Sequence, residues 1–196
     1  DNFRGMNWSE EYLNSLLAVM EANLSYMPSS TSNEELSDIS LFDHVKLTAA
    51  ISSCIYDYLN ENHLSYKTEL FDKKDFYDRN AFLLCSMDIS GIQSFIYTIS
   101  SKNALKNLRA RSFYLEIMME HIIDLLLDRL QLSRANLLYS GGGHCYLLLA
   151  NTTETVIQIQ KFQEELKEWL LKQFQTDLFV AFGLHVLLHG SGMISG

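Results

Sequence analysis

The chain has 196 residues, 47% of them hydrophobic, and a formal net charge of −9. That is enough apolar material for one sizeable core, or for one core with a smaller neighbour. No apolar run reaches the roughly 18 residues of a membrane span and no N-terminal signal pattern is visible, so the sequence reads as that of a soluble, cytoplasmic protein.

Taken from the start, Trp8 to Tyr26 has helical periodicity, with Ser9 as a cap and Glu10 and Glu11 in the first turn. The chain's single proline, Pro28, opens the polar linker PSSTSNEELSD. A second helix is predicted from about Leu41 to Asn60, capped by Asp38 or Ser40. Its apolar stripe is Leu47, Ala50, Ile51, Cys54, Ile55 and Tyr58. Residues 61–79 are polar and charged, which suggests a boundary, so residues 1–79 form a helical segment with its linker. This front part is acidic, with 14 acidic and 6 basic side chains in residues 1–80, which argues against generic nucleic-acid binding there.

Beyond residue 80 the pattern changes. AFLLCSM is a buried strand ending at Asp88, and SGIQSFIYTIS is a short helix or turn. A long helix is predicted over about Leu105–Leu130, with Leu115, Met118, Met119, Ile122, Leu126 and Leu130 inward. Strands over 135–139 and 144–150 flank a glycine tip, which is a β-hairpin signal. A helix follows over about 153–174, with Ile159, Phe162, Leu166, Trp169, Leu170 and Phe174 inward. A last strand, LFVAFG, starts near Leu178. The order β-α-β-β-α-β predicts an α+β, ferredoxin-like domain over residues 80–184, with both helices on one face of a four-stranded antiparallel sheet. The tail LHVLLHGSGMISG fits this plan poorly, so residues 185–196 read as flexible or non-native. His185 and His189 would form a metal pair only on a helix and lack a third ligand. His44, near a helix start, reads as packed or capping. Cys54, Cys85 and Cys145 form no CxxC pair and read as buried, reduced thiols.

The predicted strand order sets Asp88 beside the tip Ser140-Gly141-Gly142-Gly143-His144. In polymerase and nucleotidyl-cyclase palms, carboxylates at both places hold two divalent cations that align a hydroxyl with a nucleoside triphosphate. Here Asp88 is the single acid, a weak metal candidate, and one carboxylate does not hold two hard cations. The remaining features suit binding. Glycines let a ligand approach the backbone, and Ser90-Gly91 opens a turn that can present amides to an anion. No acidic residue occurs from Ile89 to Leu115, where Lys102, Lys106, Arg109 and Arg111 form a basic patch able to neutralise phosphates. The plainer reading stays open from spacing alone: the glycines make a turn and the basic residues solvate a helix.

The stretches DISLFDHVKLTAAI, DISGIQSFIY, LRARSFYLE and RANLLYSGGGHCYLLLANT resemble, in order from about residue 8 to Gly183, the large palm-domain subunit of type III-A CRISPR–Cas effector complexes. The resemblance implies a subunit that cuts single-stranded DNA and makes cyclic oligoadenylates from ATP when target RNA pairs with the guide. It implies that SGGGH is the hairpin of the first, non-catalytic palm. An ATP would sit between that palm and a second palm of the same subunit, whose Gly-Gly-Asp-Asp hairpin holds Mg or Mn. Ser90, Gly91, Lys106, Arg109, Arg111, Ser140, Gly141, Gly142 and Gly143 would face that ATP. The implied partners are the second palm, the other effector subunits, and guide and target RNA through the complex, with no membrane. The chain has no His-Asp doublet (Asp43-His44 is reversed), no Gly-Gly-Asp-Asp and no zinc CxxC pairs, so this stretch by itself is expected to be inactive. The competing expectations are a degenerate cyclase-like regulatory domain, an RNA-binding sheet with Tyr146 as its aromatic, and a structural scaffold.

Overall fold

A computed structural model describes residues 9–30, 38–72, 75–97 and 104–187. Helix α1 (Glu10–Leu24) starts at Ser9, whose hydroxyl accepts the Tyr12 N–H at 3.3 Å. Helix α2 (Leu41–Glu61) starts at Ser40, whose hydroxyl accepts the Asp43 N–H at 3.0 Å. The expected boundary at 61–79 holds a π-helical turn, Thr68–Asp72, and a 3-10 turn, Asp75–Asp78. Two contacts fix it. Phe76 is buried with Leu59 and Ala81, and the Arg79 guanidinium donates to both oxygens of Glu69, at 2.8 and 3.1 Å. Charges that look solvated in the sequence are paired with each other.

Strand β1 (Phe82–Ser90) leads into the short helix α3 (Ile92–Tyr97) and the long helix α4 (Ala104–Arg129). A 3-10 turn, Arg134–Asn136, precedes β2 (Leu137–Gly141); β3 (His144–Ala150), α5 (Thr153–Phe174) and β4 (Phe179–Leu187) complete the chain order. The sheet is antiparallel with order β2-β3-β1-β4. Alternation assigns its faces. Leu83, Cys85, Met87 and Ile89 of β1 and Cys145, Leu147 and Leu149 of β3 join the inner stripes of α4 and α5 in one core. On the opposite face α2 covers one end only, with Ala50 and Cys54 against Leu148 and Ala150. Asn136 anchors this contact, donating to the Leu148 carbonyl at 2.9 Å and to Ser53 Oγ at 3.0 Å. The fold is α+β.

Two expectations need correction. Residues 185–187 are not tail: β4 pairs with β1 over its full length, from Phe179 opposite Ser90 to Leu187 opposite Phe82. His185 therefore lies on a strand, not a helix, and His189 and the rest of 188–196 lie outside the described residues. Trp169, expected inward, is 42% exposed and meets the Phe174 ring edge-on at the rim. The inward stripe of α5 is filled without it by Ile159, Phe162, Leu166 and Leu170.

Candidate functional site

The hairpin closes through a two-residue loop, Gly142 at φ 60° and Gly143 at φ 87°. Two consecutive residues in the left-handed region are the mark of a type I′ turn, which matches the strand twist and which glycine enters without a Cβ penalty. A backbone bond ties this tip to β1: the Ile89 N–H donates to the Gly143 carbonyl at 2.9 Å. Asp88 consequently lies directly opposite His144, as the expected strand order requires. His144 Nε2 is 3.1 Å from Asp88 Oδ1, and the Ser90 hydroxyl donates to Asp88 Oδ2 at 3.4 Å. The acid is thus engaged by an imidazole and a hydroxyl. Among the described residues no group of three or more His, Cys, Asp or Glu side chains is arranged to hold a metal ion.

On the helix side of the tip lies a cavity of about 340 Å³, floored by Ser140 to Gly143 and walled by Ile92 and Ile96 of α3 and by the Ser112, Glu116 and Glu120 stripe of α4. Glu120 is its most constrained polar group. Its carboxylate accepts the Ser140 hydroxyl and the Arg134 guanidinium, each at 2.7 Å, and Arg134 also binds Asp124. Burial pushes the Glu120 carboxyl up, but the Ser140 hydrogen bond and Arg134 outweigh it and hold the group below the ordinary carboxylate range.

The expected ligand residues do not gather in one place. Ser140 and the three glycines line the cavity. Lys106 and Arg109 are exposed on the N-terminal half of α4. At 100° per residue Arg109 lies on the stripe of Ser112 and Glu116, one turn earlier, and Lys106 stands at its edge. Arg111 points elsewhere: its guanidinium donates to the Phe95 carbonyl and lies over the Phe95 ring, 5.2 Å from the centroid. That contact clamps the end of α3 to α4, so Arg111 supports the cavity wall and does not enter the cavity. Lys102 lies outside the described residues. Gly91 has φ 89°, and a Cβ there would overlap the Asp177 carbonyl oxygen, so its first requirement is to let β1 turn past the α5–β4 connection. Glu116, Glu120 and Arg134 did not emerge from the sequence. The available signal was the Glu116–Glu120 spacing of four, which puts both on the helix face that carries Ser112.

Residues 81–189 match the family model described as Csm1 subunit domain B. The chain is 57% identical over 177 residues to the CRISPR system single-strand-specific deoxyribonuclease Cas10/Csm1 (subtype III-A) of Mycobacterium tuberculosis, covering 89% of this chain and 22% of that protein. It is 56% identical over 172 residues to the protein of the same description from Enterococcus italicus, covering 85% of this chain and 23% of the relative. Among solved structures it is similar to a Csm1–Csm4 cassette in complex with pppApA, with TM-score 0.76 and 33% identity over 90% of this chain and 23% of the other. A Csm1–Csm4 cassette in complex with AMPPNP gives a TM-score of 0.73 at 33% identity, with the same coverage. The chain therefore spans less than a quarter of the length of these relatives.

Proposed function

Because the chain belongs to the Csm1 family, we propose that it supplies the first palm of a type III-A effector subunit: a ferredoxin-like, non-catalytic palm whose bare glycine hairpin receives an ATP. In this reading residues from about 80 to the end of β4 are the palm, and the preceding helices buttress it. The subunit as a whole cuts single-stranded DNA and joins ATP into cyclic oligoadenylates in the cytoplasm. A second palm of the same subunit brings Mg or Mn, and the other effector subunits bring guide and target RNA.

The observation that carries the proposal is the tip. Its two left-handed glycines line the cavity, and the space around a Cβ at Gly142 is empty to 4 Å. A nucleotide can therefore reach the backbone at Gly142 without a side chain intervening, while Ile92 packs against Gly143. Lys106 and Arg109 lie along the helix that forms the cavity wall, where a polyphosphate would gain charge-assisted contacts. Ser90, whose hydroxyl is on Asp88, and Gly91, set against the Asp177 carbonyl, do not line this cavity. Asp88 is a single carboxylate already engaged by His144, so in this reading the carboxylates of the second palm would hold the metal on the phosphates. That relatives were crystallised with AMPPNP and with cA4 supports a nucleotide as the ligand.

The test is a titration of AMPPNP with Mg²⁺ into a subunit of full family length carrying this sequence. Arg109→Ala and Lys106→Ala are each expected to weaken binding, by up to roughly 1.5–3 kcal/mol where the contact is shielded and less where it is exposed. Unchanged affinity in both variants and in Gly142→Asn would return the hairpin and the patch to a purely structural role. The 196-residue chain alone is expected to form no product from ATP and Mg²⁺; oligoadenylate above a blank would refute the non-catalytic assignment.

A further inference from the structure

We infer that Glu120 is a positioning residue for the nucleotide site, holding the glycine tip in its receiving shape through the Ser140 hydroxyl. The inference rests on the reading of the hairpin as a nucleotide-binding element. Three consecutive glycines carry more backbone freedom than any other tripeptide, so a tip made of them keeps one shape only if its neighbours impose it. Two restraints come from β1 and α3: the Ile89 N–H bond to the Gly143 carbonyl, and the Ile92 side chain packed where a Gly143 Cβ would go. The third comes from α4. Ser140, the residue before the glycines, donates to Glu120 Oε1 at 2.7 Å, and Arg134 holds Oε2 at 2.7 Å while also binding Asp124. The carboxylate is thereby fixed at both oxygens, one by the base of the hairpin and one by the turn that leads into it. The chain from Arg134 to Ser140 is stapled to the helix at both ends.

This arrangement separates positioning from contact. Glu120 carries a negative charge, which a triphosphate would avoid, so its benefit to an anionic ligand has to pass through the hydroxyl that it holds. A hydrogen-bond acceptor is what Ser140 needs, and an amide oxygen supplies one.

The experiment measures the dissociation constant of AMPPNP and the melting temperature in a subunit of full family length. Glu120→Ala is expected to weaken binding roughly 10-fold, the equivalent of one lost hydrogen bond of about 1.4 kcal/mol. Glu120→Gln, which keeps the acceptor, is expected to restore most of that affinity. Combining Glu120→Ala with Ser140→Ala should be no worse than either alone, since both remove the same contact. The two Glu120 variants should melt close to each other, because a merely structural loss would lower stability without separating Ala from Gln in affinity. Three results overturn the inference: wild-type affinity in Glu120→Ala, a Glu120→Gln variant as weak as the alanine variant, or additive losses in the double variant. Should Glu120→Ala fail to fold, Ser140→Ala alone decides, and wild-type affinity in it overturns the inference. If the unsubstituted subunit fails to bind AMPPNP, the nucleotide reading itself falls and takes this inference with it. If it binds and only the Glu120 arms are silent, the reading stands and positioning fails.

Discussion

The four glycines around the tip have different reasons to be glycine, and a pair of substitutions separates them. Gly142 has φ 60° with nothing within 4 Å of an added Cβ. Asparagine enters the left-handed region readily, whereas most other side chains lose roughly 1–2 kcal/mol there, so Gly142→Asn should cost under about 1 kcal/mol. Gly91 has φ 89°, and its Cβ would overlap the backbone carbonyl of Asp177, which no side-chain rotation relieves. Strain of roughly 1–3 kcal/mol adds to a similar cost for displacing the α5–β4 connection, so Gly91→Ala should lose about 3 kcal/mol or more. For a chain of this length that corresponds to a fall of about 6–12 °C in Tm, against less than about 4 °C for Gly142→Asn. Thermal and urea unfolding of both variants checks this directly. A Gly91→Ala protein melting within about 2 °C of the parent would refute the close-approach argument. A Gly142→Asn protein falling as far as Gly91→Ala would refute the claim that the tip is open.

Glu61 of α2 accepts the Thr153 and Glu154 N–H groups, at 2.9 and 3.2 Å, and so caps the start of α5 from another helix. Glu61→Ala should cost about 1 kcal/mol, read from the urea midpoint. Because the Glu120 carboxyl is held below its ordinary 4.5, its stabilising pairing is complete above that value and is lost as pH falls through the lowered folded-state value. Glu120→Gln should therefore cost most stability above about pH 4.5, where the pairing is complete, and converge on the parent at lower pH, flattening the acid limb of the stability–pH curve; an unchanged limb would contradict the assignment. Burial pushes the thiols of Cys54, Cys85 and Cys145 up to about 12. A thiol reagent at pH 8 should leave all three unmodified in the native chain and reach them on unfolding, and rapid native labelling would contradict the burial.

What the sequence disclosed followed from periodicity. The period-2 run of β1, the long stripes of α4 and α5, and the glycine break between two short strands suffice to order the sheet and bring Asp88 to the hairpin. The failures have equally local causes. β4 is an edge strand with apolar residues on both faces: Phe179, Leu184 and Leu187 are all exposed. It therefore lacks the alternation that would have carried it past Gly183. Arg111 was legible as a charge but not as a direction, since its partner is a carbonyl sixteen residues away across a helix pair. Glu120 carries a sign opposite to the basic patch just before it, and only the folded hairpin brings Ser140 within its reach.

The residue at the tip that most separates this hairpin from a catalytic one is His144. An acid at that place would stand directly across the ladder from Asp88, and like charges opposed in an antiparallel pair destabilise it unless a cation lies between them. An imidazole there turns the same register into an attraction, with Nε2 within hydrogen-bonding distance of the carboxylate. The imidazole in place of a carboxylate does two things at once. It removes the second carboxylate that two-metal chemistry needs, and it lets β1 and the hairpin keep their register through side chains that require no metal. A hairpin built this way holds its tip in place on its own contacts, which is what the proposed nucleotide-receiving role requires.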